Sequence, residues 1–311
     1  MRIAYDISHY KIVKDFRLIN PKPAILITKA TEGHPGGIYN HTDSTFIDYF
    51  DGMMDIGVVR GAYHFFRKSL NPYKQAEHFL NIISKIDILK TDILVLDVEE
   101  GGEKASQLWA WCETVRKAFP DNQLWIYSRE NILGLISMTQ SEKEYFKKIP
   151  IWTAGYPKLK SDYYLLEKVP TAYVPDQSRF GEVVMWQYTS TGKVDGIVGG
   201  VDTNWINPKI YESLEYPEVV SKEGEFTYIS STKLGIFSKP GGRFIETLSP
   251  NIRINSGNLR NLYGHTYLQV PDGWIKLDTQ LEDSAPTTPG YIEVFIDGVL
   301  KVSGFGKFEV K

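Results

Sequence analysis

The sequence predicts an α/β fold: an irregular (β/α)8-type barrel, then a small all-β barrel and a terminal β-hairpin. Three observations carry that prediction. Up to about residue 210, short apolar runs alternate with amphipathic stretches, as strands alternate with helices around a parallel sheet. Eight of those runs read as strands, which suits a closed barrel. Beyond Pro208 the texture changes to short β-type runs broken by Gly, Pro and Asn. A chain of 311 residues has room for one large barrel and one small module.

The strand-like runs of the first part are Arg2–Tyr5, Ala24–Thr28, Val58–Phe65, Ile93–Asp97, Gln123–Tyr127, Ile151–Ala154, Val183–Tyr188 and Gly196–Asp202. Helical patterns lie between several of them. Leu108, Cys112, Val115 and Phe119 form one stripe at helical spacing. Ala76, Phe79 or Leu80, and Ile83 mark the inner face of a second helix from about Tyr73 to Ile86. A third covers Thr42–Ile56, with Thr42 or Asp43 as its N-cap. From Pro157 to Val183 the helical signal is weak, so the later outer layer is expected to be mostly loops.

Residues 1–210 are therefore expected to form the barrel, with a polar linker at 211–224. A β-module follows at 225–282, with strands at Phe226–Ile229, Gly235–Phe237, Asn251–Ile254, Thr266–Val270 and Trp274–Leu277. Residues 283–311 read as a second linker and a hairpin turning at Asp297-Gly298. A lone hairpin is marginal in water, so it is expected to dock on a neighbour or a partner.

Composition narrows the function classes. A net charge of -3 with interspersed signs argues against nucleic acid, which usually requires a basic stripe. The single cysteine, Cys112, rules out an internal disulfide and any multi-cysteine metal site; its helical stripe makes it a small buried hydrophobe. No apolar run reaches the ~18 residues of a membrane span. The opening MRIAYDISHY does not have the form of a signal peptide. Aromatic content is 13%, rich in Tyr and Trp, a composition that suits stacking on sugar rings.

The most informative segment is Ile93-Leu94-Val95-Leu96-Asp97-Val98-Glu99-Glu100, where a buried strand runs into carboxylates. On extended backbone Asp97 and Glu99 share a side, roughly 6.6 Å apart at Cα. The first strand ends in Asp6 and the last in Asp202. Closure of a barrel makes those two strands neighbours, which places Asp6 and Asp202 side by side, facing Asp97 and Glu99. Crowded like charges raise at least one pKa, and a raised carboxyl can protonate a leaving oxygen, as in glycoside hydrolysis. Two other readings of such acids stand beside this one: helix caps or loop residues, and a Mg²⁺ or Ca²⁺ site. No phosphate loop or calcium-loop spacing accompanies them, and the six histidines show no metal-ligand spacing, so no metal and no cofactor is expected.

Tyr63, Phe65, Tyr127, Trp152, Trp186 and Tyr188 fall near strand ends, where rings either line a saccharide groove or fill the core. His9, just after Asp6, is a further candidate for substrate contact, whereas His64 reads as structural.

Several motifs together resemble the lysozymes of glycoside hydrolase family 25. They are Asp6-Ile7-Ser8, Lys29-Ala30-Thr31-Glu32-Gly33, Arg60-Gly61-Ala62-Tyr63-His64-Phe65, Asp97-Val98-Glu99 and Trp125-Ile126-Tyr127, followed by Ile151-Trp152 with Ala154 and Tyr156, Trp186-Gln187-Tyr188 and Val201-Asp202-Thr203-Asn204. The resemblance covers about residues 1–210. It implies an irregular β/α barrel and cleavage of the β-1,4 bond between N-acetylmuramic acid and N-acetylglucosamine in peptidoglycan. By the same resemblance Glu99 is the general acid and Asp97 its near partner, with Asp6 and Asp202 shaping the pocket. His9-Tyr10-Lys11 departs from the Gln-Gly or Asn-Gly pair common there, which leaves the first βα loop open.

The Glu225–Leu281 stretch resembles bacterial SH3-like wall-binding modules through Leu234-Gly235-Ile236-Phe237 and Gly273-Trp274-Ile275-Lys276-Leu277. The combination implies a phage endolysin or virion-associated lysin. Such a protein is made in the host cytoplasm and meets the wall after holin release or within a tail, and its terminal hairpin is then available to a phage structural partner. The alternatives are an inactive sugar-binding or structural tail protein, and a hydrolase of chitin-like oligomers.

Overall fold

The computed structural model describes residues 2–157, 174–175, 180–216, 219–229, 233–250, 253–262 and 265–277. The expected linker and hairpin at 283–311, and most of the stretch from Pro157 to Val183, lie outside these residues. The chain forms two compact units, Met1–Ser84 with Ile88–Tyr216, and Lys85–Asp87 with Pro217–Lys311.

In the first unit the strands are β1 (Ile3–Ile7), β2 (Ile12–Val13), β3 (Ile25–Gly33), β4 (Asn40–Thr42), β5 (Val59–Phe65), β6 (Ile93–Val98), β7 (Gln123–Arg129), β8 (Ile151–Ala154), β9 (Val183–Gly192), β10 (Ile197–Val198) and β11 (Val201–Ile206). The helices are α1 (Phe46–Asp55), α2 (Pro72–Ile83), α3 (Ala105–Ala118), α4 (Glu130–Leu133), α5 (Gln140–Phe146) and α6 (Pro208–Ser213). Eight strands run in the order β1-β11-β9-β8-β7-β6-β5-β3, and the pairing of β1 with β3 closes the barrel; β4 is appended to β3. The expected eight-stranded barrel is therefore present.

One strand differs in place and direction. The stretch expected as a strand at Gly196–Asp202 splits into β10 and the start of β11, which runs on to Ile206 and pairs antiparallel with both β9 and β1. The reason is connection length. A parallel crossover needs about a dozen residues, and fewer separate Gly192 from Val201. Asp202 thus stands near the start of its strand, not at its end.

Strand parity builds the interior. Ala4, Ile25, Ile27, Val59, Ile93, Val95, Trp125, Trp152, Met185 and Ile206 pack in one buried cluster. Gly61 sits between inward positions 59 and 63, where a Cβ would come within 2.8 Å of the Ile27 side chain. The opposite faces of the strands meet the helices. His64 stacks on Trp111 of α3 with ring centroids 5.6 Å apart and takes hydrogen bonds with Thr31 and with Gln75 of α2. Burial lowers its pKa to about 3, so it is neutral and structural, as expected. Cys112 is buried in α3.

Helix starts follow local chemistry. Asn71 accepts from the amides of Tyr73 and Lys74, with Pro72 at the first helical position of α2. Thr139 and Glu142 form a reciprocal capping box on α5. The helix expected at Thr42–Ile56 begins later, at Phe46: Asp43 spends its carboxylate on the amide and hydroxyl of Thr45, tightening the turn ahead of the helix.

The second unit holds β12 (Val219–Ile229), β13 (Leu234–Phe237), β14 (Phe244–Leu248), β15 (Arg253–Leu262), β16 (His265–Val270) and β17 (Gly273–Lys276), in the order β12-β15-β16-β17-β13-β14 with antiparallel pairing throughout. Its core includes Leu234, Ile236, Ile254, Leu259, Leu268 and Ile275. The stretch 211–224, expected as a linker, supplies the end of α6 and the beginning of β12. Asn207-Pro208 is the overlooked helix signal: the Asn207 side chain caps Lys209 N–H, and Pro208 occupies the first helical position.

On the barrel wall, Arg60 and Asp92 are both fully buried and joined by two hydrogen bonds, Nε–Oδ1 at 2.9 Å and Nη2–Oδ2 at 2.6 Å. The guanidinium also lies 4.3 Å from the Phe50 ring centre of α1. Removing one partner strands a charge in the interior. Arg60→Met is expected to cost about 3–5 kcal/mol in urea denaturation followed by tryptophan fluorescence. A loss below ~1 kcal/mol would contradict this account of the wall.

Candidate active site

On several strands the inward set turns from apolar to polar within two residues at the mouth of the barrel. Ala4 is followed by Asp6, Val95 by Asp97 and Met185 by Gln187; on the reversed β11, Ile206 is followed towards the mouth by Asn204 and Asp202. Asp6 and Asp202 are direct register partners across β1 and β11. Register shifts on β11 between Val201 and Asn204 bend the strand where Asp202 is presented.

One pocket, with an empty volume of about 460 Å³, is lined by Asp6, Tyr63, Asp97, Glu99, Tyr127, Arg129, Trp152, Tyr156, Gln187 and Asp202. All four predicted acids are brought together there. Of the six predicted aromatics, Tyr63, Tyr127 and Trp152 line it, and Phe65, Trp186 and Tyr188 do not. Trp186 and Tyr188 have the opposite parity to Gln187, meet in a tilted ring contact at 5.6 Å, and are buried behind the wall. Phe65 is covered by the Lys29 and Arg67 cations, 5.2 and 4.5 Å from its ring centre. His9 bonds Asp43 through Nδ1 at 2.7 Å.

The acids are held by a hydrogen-bonded frame that composition did not suggest. Asp6 accepts from Gln187 Nε2 at 3.1 and 3.0 Å and from Asn204 Nδ2 at 2.8 Å. Gln187 Oε1 in turn accepts from the Tyr127 hydroxyl at 2.7 Å and from Tyr156. Trp152 Nε1 donates to Asn204 Oδ1 at 2.7 Å, fixing that amide. Arg129, half exposed, reaches Glu99 with Nη2 3.5 Å from Oε2. Gln187, Asn204, Arg129 and Tyr156 were missed as site residues. For Gln187 and Arg129 the signal was available: each lies two residues beyond an inward apolar or aromatic position.

All four carboxyls have raised pKa values, each chiefly through burial. Asp6 is raised further by the charge of Asp202, against the pull of Asn204 and Gln187. Asp97 is raised further by Glu99, with Lys29 opposing. Glu99 is raised despite Arg129 and a hydrogen bond from Asp97. That bond needs a proton, so Asp97 and Glu99 titrate as a pair. Asp202 is pushed up to about 6, with Lys11 opposing burial. Such a site binds protons and suits acid–base chemistry.

The sign of the stability effect follows. Between pH ~4 and ~6 the folded state holds a proton on Asp202 that the unfolded chain has released, so stability falls as pH rises through that window. Asp202→Asn removes the penalty. It is expected to stabilise the protein at pH 7.5 by up to about 3 kcal/mol, less what solvent screens, and to change nothing at pH 4. Thermal melts at the two pH values check this; a variant less stable at pH 7.5 would refute it.

Comparison with known proteins agrees with this geometry. Residues 5–197 match the family model described as glycosyl hydrolases family 25. The chain is 31% identical over 190 residues to the uncharacterized protein YegX of Escherichia coli (strain K12), covering 59% of each. It is 29% identical over 183 residues to the autolytic lysozyme of Clostridium acetobutylicum, covering 57% of this chain and 47% of that one. The chain thus spans about half to three-fifths of the length of these relatives. In structure, a bacterial lysozyme from Streptomyces coelicolor superposes with a TM-score of 0.54 at 24% identity, over 68% of this chain and 96% of the other, a likeness of fold. Because the family match runs from β1 around the barrel to β10, over more than half of the sequence, the chain belongs to glycosyl hydrolase family 25.

Proposed function

We propose that the barrel is a lysozyme that hydrolyses the β-1,4 bond between N-acetylmuramic acid and N-acetylglucosamine in bacterial peptidoglycan. The observation that carries the proposal is the convergence of Asp6, Asp97, Glu99 and Asp202 in one pocket, all with raised affinity for protons. Family membership and the autolytic lysozyme relative support the choice of substrate.

In this mechanism Glu99 donates its proton to the glycosidic oxygen as the C1–O bond breaks. Of the Asp97–Glu99 pair, Glu99 is the member beside the open side of the pocket, under Arg129. Asp97 is almost fully buried, and its Oδ1 has no hydrogen-bond partner among the described residues. That acceptor suits the N–H of the substrate's acetamido group, turning its carbonyl oxygen towards C1. The acetamido oxygen attacks C1, and Glu99, now a carboxylate, takes a proton from the water that opens the cyclic intermediate. Asp6 and Asp202 add negative potential opposite the developing positive charge. Tyr63, Tyr127 and Trp152 offer ring faces to sugar.

Residues 225–282 are proposed as an SH3-like wall-binding module that concentrates the barrel on a polymeric substrate. Phage origin, as an endolysin or virion-associated lysin, belongs to the same proposal.

Clearing of a purified peptidoglycan suspension tests the acid. Glu99→Gln is expected to lower the rate by at least ~10²–10⁴ while keeping its melting temperature close to wild type. Equal clearing by both proteins would end the assignment. The anomer first released is expected to retain the β configuration, because two displacements occur at C1; NMR of early product showing inversion would exclude participation by the acetamido group.

A further inference from the structure

On one flank of the pocket lies a second group of chemistry-bearing side chains that glycoside cleavage does not use. His9 follows β1 by two residues, His41 sits on β4 opposite Glu32, and Asp43 opens the turn into α1. One ligand atom from each of the three lies within 4.8 Å of the others. The Asp43 side chain is fully buried. Burial pushes its pKa up, but hydrogen bonds from His9 and Thr45 outweigh that and hold it below the usual carboxylate value. A separate observation concerns His41: its Nε2 is closed to solvent and has no hydrogen-bond partner among the described residues. A shut-in polar nitrogen without a partner is costly and calls for an explanation.

We infer that His9, His41 and Asp43 form a binding site for one divalent transition-metal ion, with Zn²⁺ as the probe of its chemistry. Two imidazoles and a carboxylate suit zinc-like ions, whereas Mg²⁺ and Ca²⁺ take oxygen ligands. Bonds of about 2.0–2.2 Å in a tetrahedron place ligand atoms roughly 3.4 Å apart. His9 Nδ1 and Asp43 Oδ2, at 2.7 Å, open slightly to admit the ion, and rotation of side chains supplies the rest. Three protein ligands leave the fourth position to water. Nδ1 of His9 now meets Asp43 Oδ2 directly; coordination through Nδ1 uses the neutral ring with its proton on Nε2, and bonds to the ion replace that contact.

The ion ties the loop after Asp6 to the β4 edge and to the entry of α1. Its charge is felt by Tyr63, whose phenol already senses Asp43 together with the pocket acids. The site is therefore a clamp on one wall of the pocket, separate from the catalytic carboxyls and independent of the substrate proposed above.

Titration calorimetry of the tag-free, chelator-stripped full chain with Zn²⁺, paired with thermal melts, tests the inference. One saturable equivalent is expected, with a raised Tm. His41→Gln is expected to keep the metal-free Tm, since Nε2 has no bond among the described residues to lose, and to weaken zinc binding at least ~100-fold. His9→Gln is expected to weaken it likewise. Absence of saturable binding in the stripped wild type would overturn the site, as would equal affinity in the His41→Gln chain.

Discussion

In a closed barrel the pleat leaves each strand one set of alternate residues facing inward, and nothing else can reach the pocket from the strand itself. Here that set is apolar at the floor and polar at the mouth: Val95 then Asp97, Trp125 then Tyr127 then Arg129, Met185 then Gln187. A slip of one residue on any strand would exchange the pocket lining for the helix-facing set. On β9 it would put Trp186 and Tyr188 inside and Gln187 outside. The outward set guards against this, because its own members are committed: His64 to Trp111 and Gln75, and Arg60 to Asp92 and Phe50.

The same geometry explains why four acids survive together. They are anchored on three strands, Asp6 on β1, Asp202 on β11, and Asp97 and Glu99 on β6 and its end, so repulsion cannot disperse them without breaking a ladder of backbone hydrogen bonds. Their charge is offset by Lys29, acting on Asp97 and Glu99, by Lys11, acting on Asp202, and by a loose ion pair, Arg129 with Glu99 at 3.5 Å. Short, bidentate salt bridges to each acid would hold the carboxyls ionised and abolish the proton affinity that acid catalysis needs; the single contact of Arg129 leaves Glu99 raised. Lys29 bonds Glu32 instead, at 2.6 Å, and acts on the site only through space. The result is a pocket that is costly in stability and prepared for proton transfer.

Much of the barrel was legible because its strands are continuous apolar runs bounded by turns, and Ile151–Ala154 was placed without error. The four acids were legible because each breaks such a run. Side chains that act through parity were harder to see. High aromatic content drew attention to Trp186 and Tyr188, whereas Gln187 between them holds Asp6; counting alternate positions from Met185 would have chosen the amide. Asn204 was hidden by the misplaced last strand. The histidine and aspartate cluster left no spacing signature at all, since its members come from positions 9, 41 and 43 and meet only when the loop after β1 folds against the β4 edge. In the second unit β14 was missed, and its burial shows why: Phe244, Ile245, Glu246 and Thr247 are all exposed, so no alternation marks the strand.

The reversal of β11 shows how connection length reaches as far as chemistry. A short link after Gly192 forbids a crossover, so the chain turns back and the next strand enters the barrel from its mouth. An acid at the beginning of that strand then lands where acids at the ends of parallel strands land. Antiparallel pairing with β1 sets Asp202 directly across from Asp6, a closeness that a parallel ladder with its slanted bonds would not have produced in this register. Mutual repulsion across that pair is one of the causes that lift Asp6, and burial lifts both. The proton affinity of this half of the pocket therefore traces back to a loop too short to hold a helix.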